Sequence, residues 1–244
     1  MNKLWHFEWR KIWRQKSLYL CFGIGLVMNL LAAIAIKSFN GSMSACASLN
    51  SALNSGFLVF LGIYLAIYAC HDYAQNTMKC IYARGYRRTT VYFTKYLISL
   101  CVTLMLALLY LCFNFLITLI LNGKVGSLNH LEVQSLLLQL WTMIGFHGMY
   151  FGVGMIVSKV GGSVALNIIG IEFCFAILST IFTILKINFD IIQLSLQGVF
   201  DAVSMIPYEG SLTTGLLLRS IIRPISYLAI FVGAGWWLNQ RRDV

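Results

Sequence analysis

Six long apolar segments, at about 17–36, 53–70, 96–121, 135–157, 163–185 and 220–238, make up most of the chain. Each is close to the ~20 residues that a helix needs to cross a hydrocarbon core of ~30 Å. The second and sixth are short and the third is long. A soluble core is excluded by composition: 59% of the 244 residues are apolar and 11% are charged, whereas an average soluble domain carries roughly 25% charged residues. The expected fold is an all-α polytopic membrane protein, one domain over residues 1–244 with six transmembrane helices.

Polar residues are few enough that each interruption carries information. At the N-terminus, residues 3–16 place Trp5, Trp9, Ile12 and Trp13 on one side of a helical wheel and Lys3, Arg10, Lys11 and Arg14 opposite. Tryptophan facing cations describes an amphipathic helix lying in the membrane interface; the alternative is a basic flank that orients the first span. Between the fifth and sixth spans lies a longer segment, 187–218. There Ile192, Leu196, Val199, Val203 and Ile206 recur at helical spacing, with Asp190 as the expected N-cap and Pro207 as the stop. This reads as a short outer helix, lying in the outer leaflet or packing over the bundle as a lid. In the fourth span Gly148 and Gly152 have the small-x-x-x-small spacing that lets helices approach closely, within the chain or between subunits.

Charge placement sets the orientation. With the N-terminus inside, Lys3, Arg10, Lys11, Arg14, Lys16, Lys79, Arg84, Arg87, Arg88, Lys95, Lys159, Arg241 and Arg242 fall on the inner side. Only Lys37, Lys124, Lys186, Arg219 and Arg223 fall outside. That asymmetry puts both termini in the cytoplasm. It also assigns the net charge of +10 to topology and to anionic membrane lipid, not to nucleic acid.

Catalytic chemistry is sparse. No G-x-x-x-x-G-K-[ST] phosphate loop is present, so any ATP that drives this chain is bound elsewhere. Nor is there an H-E-x-x-H or Cys/His spacing suited to a metal. The seven cysteines read as small packing residues. Two ionisable groups lie deep in spans, His147 and Glu172. Such groups face a partner or a wet cavity, so they are candidates for a substrate path. The alternative for each is a hydrogen-bonded packing role. The spans show neither inverted repeats nor proline breaks, the marks of a secondary transporter.

The long basic interruption, 71–95, carries the sharpest signal. Tyr73, Thr77 and Ile81 fall at i, i+4 and i+8, with Met78 and Tyr82 alongside, which predicts a short helix. Arg84-Gly85 then turns the chain, and Arg87, Arg88 and Lys95 mark re-entry into the membrane. An apolar stripe on a cytoplasmic helix calls for a protein groove. Tyr73, Thr77, Met78 and Ile81 are therefore expected to be covered by another protein.

The pattern Asp72-Tyr73-x-x-x-Thr77-Met78-Lys79, followed by Arg84-Gly85-x-x-Arg88 and Lys95, resembles the first cytoplasmic loop of type-2 ABC transporter permeases. Asp72 stands where that family more often has Glu. The N-terminal elbow helix, the six spans and the outer helix agree in layout. The resemblance implies an exporter's transmembrane subunit, with no catalytic residue and no cofactor of its own; ATP and Mg would be bound by two copies of a partner ATPase. It further implies a second permease, identical or related. A coupling helix over Asp72–Tyr82 would seat in the ATPase, through Asp72, Tyr73, Thr77, Met78, Lys79, Ile81, Arg84, Gly85 and Arg88. Short members of this kind resemble bacterial plasma-membrane permeases for antimicrobial peptides, including lantibiotic self-protection systems. Two other classes are a non-transporting scaffold or sensor and a proton-driven carrier using Glu172. Co-purification of a soluble ATPase separates the first reading from both.

Overall fold

The computed structural model describes residues 2–40, 56–75, 77–122, 129–170, 177, 178, 180, 181, 184, 194–209 and 211–242. Among these the regular elements are helices: α1 Asn2–Arg14, α2 Lys16–Asn40, α3 Gly56–Ala74, α4 Thr77–Ala83, α5 Arg88–Asn122, α6 His130–Val157, α7 Val160–Ala165 leading into a π-helical turn Leu166–Gly170, α8 Leu196–Glu209 and α9 Thr214–Arg241. Four are long and apolar enough to cross a membrane among the described residues, over Phe57–Ala74, Arg88–Leu121, His130–Val157 and Thr214–Arg241. The first segment, in α2, is apolar over the shorter stretch Lys16–Leu31. Most of the fifth segment beyond Gly170, Glu172 included, lies outside the described residues, as does Asp190.

α6 is the central post. Asn129 and Glu132 start it with a reciprocal capping box, in which the Asn129 side chain accepts from His130 N at 2.7 Å and Asn129 N donates to Glu132 Oε2 at 2.8 Å. Along its length 72% of the apolar window is buried, against 17% for α9. α9 is therefore mostly exposed in this chain, while α6 is mostly covered by it.

Glycine is what allows the two to touch. A Cβ on Gly145 would fall 2.8 Å from Pro224 Cα, and one on Gly152 only 2.5 Å from the Phe231 carbonyl oxygen. The small-residue spacing is thus a seam within the chain, between α6 and α9. Pro224 stands inside α9, so the last span does carry a proline, and the ring sits where Gly145 makes room for it.

α8 answers the question of the outer helix. Leu196, Val199, Phe200, Val203 and Ile206 are buried, with Phe200 edge-on to Phe146 of α6 at 6.1 Å. The helix packs over the bundle. Ser195 caps it, accepting from Gly198 N at 2.8 Å. Pro207 was expected to stop the run but lies inside it. The residue whose carbonyl Pro207 leaves unpaired is Val203, four positions back, and Ser135 Oγ of α6 donates to that carbonyl at 2.8 Å. A tertiary hydrogen bond replaces the one the proline removes. The cysteines divide: Cys21 and Cys70 are buried, whereas Cys101 and Cys112 are exposed on α5, contrary to a packing role there.

Candidate functional site

The basic interruption folds differently from its sequence pattern in one respect. α3 continues to Ala74, carrying Asp72 and Tyr73 within it, and the short helix α4 begins at Thr77 instead of Asp72. Thr77 provides the local reason. Its Oγ1 donates to Asp72 Oδ1 at 2.7 Å, a side-chain bond that competes with continuation of the helix. At the other end Gly85 N donates to Tyr82 O at 2.9 Å, and Gly85 takes φ +84°, a conformation that favours glycine.

The apolar stripe of α4 points inward. Met78 and Ile81 are buried within this chain, and Tyr73 and Tyr82 pack beside them. The expectation that another protein covers Met78 and Ile81 is corrected here: the undersides of this chain's own spans cover them. A seven-residue helix cannot persist in water unaided, so it spends its apolar face on staying attached. What it presents outward is Lys79, Cys80 and Ala83, with Arg84 and Gly85 exposed in the turn that follows.

Beneath α4 lies a buried knot of charge. Lys95 is fully buried and pairs with Asp72 Oδ2, while Lys11 pairs with Asp72 Oδ1. Glu8, also fully buried, lies 3.5 Å from Lys95 and accepts from Tyr68 OH at 3.1 Å. The Lys95 ammonium stands 5.4 Å from the centre of the Tyr68 ring. Two cations and two carboxylates balance, which is what makes their burial tolerable. Burial holds the Lys11 ammonium below the ordinary lysine range, with Glu8 acting in the opposite direction. One knot thereby ties α1, α3, α5 and, through Thr77, α4.

Two sequence readings change as a result. Lys95 is not a re-entry marker at the surface but a buried member of α5, which starts seven residues earlier at Arg88. Ile12 does not belong to the tryptophan face of α1. It is buried with Leu4 and Glu8, so the stripe at 4, 8 and 12 faces the protein while Trp5, Trp9 and Trp13 lie beside it. Glu8 escaped the sequence reading altogether. The signal was there, since Glu8 is the sole acid before Asp72 and sits three residues from Lys11 on a strongly cationic helix.

A second tie joins the same region to the end of α9. Tyr73 OH donates to Asn239 Oδ1 at 2.5 Å. Arg88 Nη1 donates to the carbonyls of Gln240 at 2.9 Å and Arg242 at 2.6 Å. Arg242 in turn donates to Met155 O at 3.0 Å, at the C-terminal end of α6, with its guanidinium 5.2 Å from the Tyr73 ring centre. The helices on either side of α4 in the chain, α3 and α5, are thus tied to α1 and to the end of α9, and α4 itself is bonded to α3 through Thr77 and Asp72.

The deeper candidates are elsewhere. His147 is fully buried, its Nε2 3.0 Å from Ser99 Oγ, stacked at 6.1 Å on Phe151 and 5.2 Å from the Tyr96 ring. Asn167, in the π-helical turn, donates to Gly62 O at 3.0 Å and Tyr150 O at 3.3 Å. Among the described residues no three His, Cys, Asp or Glu side chains cluster as metal ligands.

A family model for the ABC-2 family transporter protein matches residues 4–171, a stretch that includes most of α1, the knot and α4. No curated protein matches the chain.

Proposed function

The chain belongs to the ABC-2 family of transporter membrane proteins, and from that premise we propose that it is the transmembrane subunit of an ATP-driven exporter, driven through α4. Membranes are its setting, and permeases of this family work with an ATPase carried on a partner chain. The finer reading has two copies of that ATPase, holding ATP and Mg, beneath a pair of permeases, identical or related. Each chain crosses a bacterial plasma membrane six times with both termini inside. The cargo is an amphipathic or antimicrobial peptide, which rests on the resemblance of the loop and layout.

The observation that carries the coupling role is the way α4 is held. Its inner face is buried, its start is bonded to Asp72, and the helices before and after it, α3 and α5, are tied to α1 and to the end of α9. A push on its outer face therefore passes to α3 through Thr77 and Asp72, and from α3 and α5 to α1 and α9. The push is received by Lys79 and Arg84, which are exposed and suited to acidic side chains on the ATPase. Asp72, Thr77, Met78 and Ile81 act behind that face as the linkage, Tyr73 and Arg88 extend it to α9, and Gly85 closes the turn. The surroundings of His147 support a packing post between α5 and α6; the substrate path then falls to Glu172.

The test is the double substitution Lys79→Glu with Arg84→Glu. Both side chains are exposed, so the expected result is unchanged thermal stability with loss of the co-purifying ATPase and of ATP-dependent export. Unchanged ATPase retention together with unchanged export would refute the coupling role. Met78→Asp is not a substitute, because it places a charge in the chain's own core.

A further inference from the structure

Next to the knot, the inner surface opens into a cleft of about 580 Å³ between α1 and the end of α3. Its lining is one-sided in charge. Arg10, Arg14 and Lys11 face it with His6 and His71, and no carboxylate lines it. Lys11 is held by Asp72, but among the described residues neither Arg10 nor Arg14 has an ion-pair partner. Gln15 also lines the cleft, and both polar atoms of its amide are buried without a partner. A buried amide left unpaired is costly, and two guanidiniums with no counter-charge repel each other. One anion rich in oxygen acceptors neutralises the guanidiniums and accepts from Gln15 Nε2. Guanidinium matches phosphate in a two-point geometry.

The position of the cleft indicates where that phosphate comes from. α1 carries Trp5, Trp9 and Trp13 on one side and its cations on the other, the composition of a helix set at headgroup depth. Phe7, half exposed at 49%, gives the cleft an apolar wall of the kind a glycerol backbone meets. We propose that this cleft is a binding site for the phosphate headgroup of an anionic phospholipid, with Arg10 and Arg14 as its clamp and the Gln15 amide as its neutral donor. The lipid sits beside Lys11, which belongs to the knot, so its occupancy bears directly on the element that holds α4. The site itself stands whether or not α4 couples to an ATPase.

The experiment uses the purified full chain in nanodiscs of phosphatidylcholine with and without phosphatidylglycerol, followed by native mass spectrometry of retained lipid. The wild type is expected to retain phosphatidylglycerol several-fold over phosphatidylcholine, and R10Q/R14Q to lose that preference. The charge-matched control K79Q/R84Q is expected to keep it. Equal preference in the wild type and R10Q/R14Q overturns the proposal, and so does equal loss in both double variants, which would mean bulk charge. If inorganic phosphate raises the thermal stability of detergent-solubilised wild type as much as phosphatidylglycerol does, the ligand is a soluble anion and the lipid assignment fails. Loss of a co-purifying acidic protein in R10Q/R14Q, with lipid preference intact, would likewise assign the cleft to protein. Should R10Q/R14Q not fold, R14Q alone on the exposed side of α1 supports the same comparison.

Discussion

Lys95→Met is the substitution that most directly tests the charged knot. In the native protein Lys95 neutralises Asp72 and lies 3.5 Å from Glu8, all three buried. At that separation and an effective dielectric of ~20, the attraction between Lys95 and Glu8 alone is about 5 kcal/mol before desolvation. Methionine fills much of the same volume, so the loss is electrostatic. Glu8 is left with Tyr68 OH as its remaining partner, and the knot carries one uncompensated negative charge. Removing one partner from a buried pair costs about 3–5 kcal/mol. At the ~2–4 °C per kcal/mol of soluble chains of similar length, that is a fall of about 6–20 °C in Tm, read by heating the purified protein and following the monodisperse peak by size exclusion. Glu8→Gln made in the same chain removes the orphaned charge and leaves Lys11 balanced against Asp72. The double variant is therefore expected to be more stable than Lys95→Met alone, recovering at least half of the loss. A Lys95→Met fall of under about 2 °C, or a double variant whose losses simply add, would refute the idea that these four side chains act as one neutral cluster.

Further outcomes follow from other contacts. Gly152→Ala would bring a Cβ within 2.5 Å of the Phe231 carbonyl and force α6 and α9 apart, a loss of about 1–3 kcal/mol by overpacking. Gly233→Ala, with nothing within 4 Å, should leave Tm unchanged or slightly raised, and equal effects at the two sites would count against the seam. Tyr73→Phe deletes the bond to Asn239 at about 0.5–1.5 kcal/mol; it should free the end of α9, seen as faster cleavage near Arg241 by trypsin, with membrane insertion unaltered. Gly85→Val imposes φ +84° on a β-branched residue, at about 1–2 kcal/mol, whereas Gly85→Asn should be close to neutral; identical behaviour of the two in thermal unfolding would disprove the turn. Ser135→Ala strips the donor from Val203 O and should release α8 through Pro207, detected as faster amide exchange in 196–209. Unchanged exchange there would mean that the proline needs no such support.

Several features could be read from the chain alone because they depend on pattern. The helical spacing of Leu196, Val199, Val203 and Ile206 predicted both α8 and its buried face. The Arg84-Gly85 turn follows from the conformational freedom of glycine, and Gly85 has the positive φ. The motif around Asp72 pointed to the family that the match over residues 4–171 supports. Failures cluster where two elements meet. Met78 and Ile81 have the spacing of a docking stripe, but periodicity states only that a face is covered and not by whom. Lys95 counted as a surface cation because a single sequence does not show that Asp72 and Glu8 surround it. Pro207 obeys its rule in giving up a hydrogen bond, and a serine seventy-two residues earlier supplies the replacement.

By itself, then, the order of apolar and charged residues determined a helical membrane protein and the existence of a short helix after the second apolar segment. Those properties arise from transfer free energy and backbone geometry, which act within a segment. The tertiary structure alone decided that the apolar face of this helix is turned inward and that Glu8, Lys11, Asp72 and Lys95 close into one neutral knot beneath it. Such a knot is held by the mutual attraction of groups far apart in sequence, 61 residues for Lys11 and Asp72 and 23 for Asp72 and Lys95. No local pattern encodes their approach; it exists only once α1, α3 and α5 have packed.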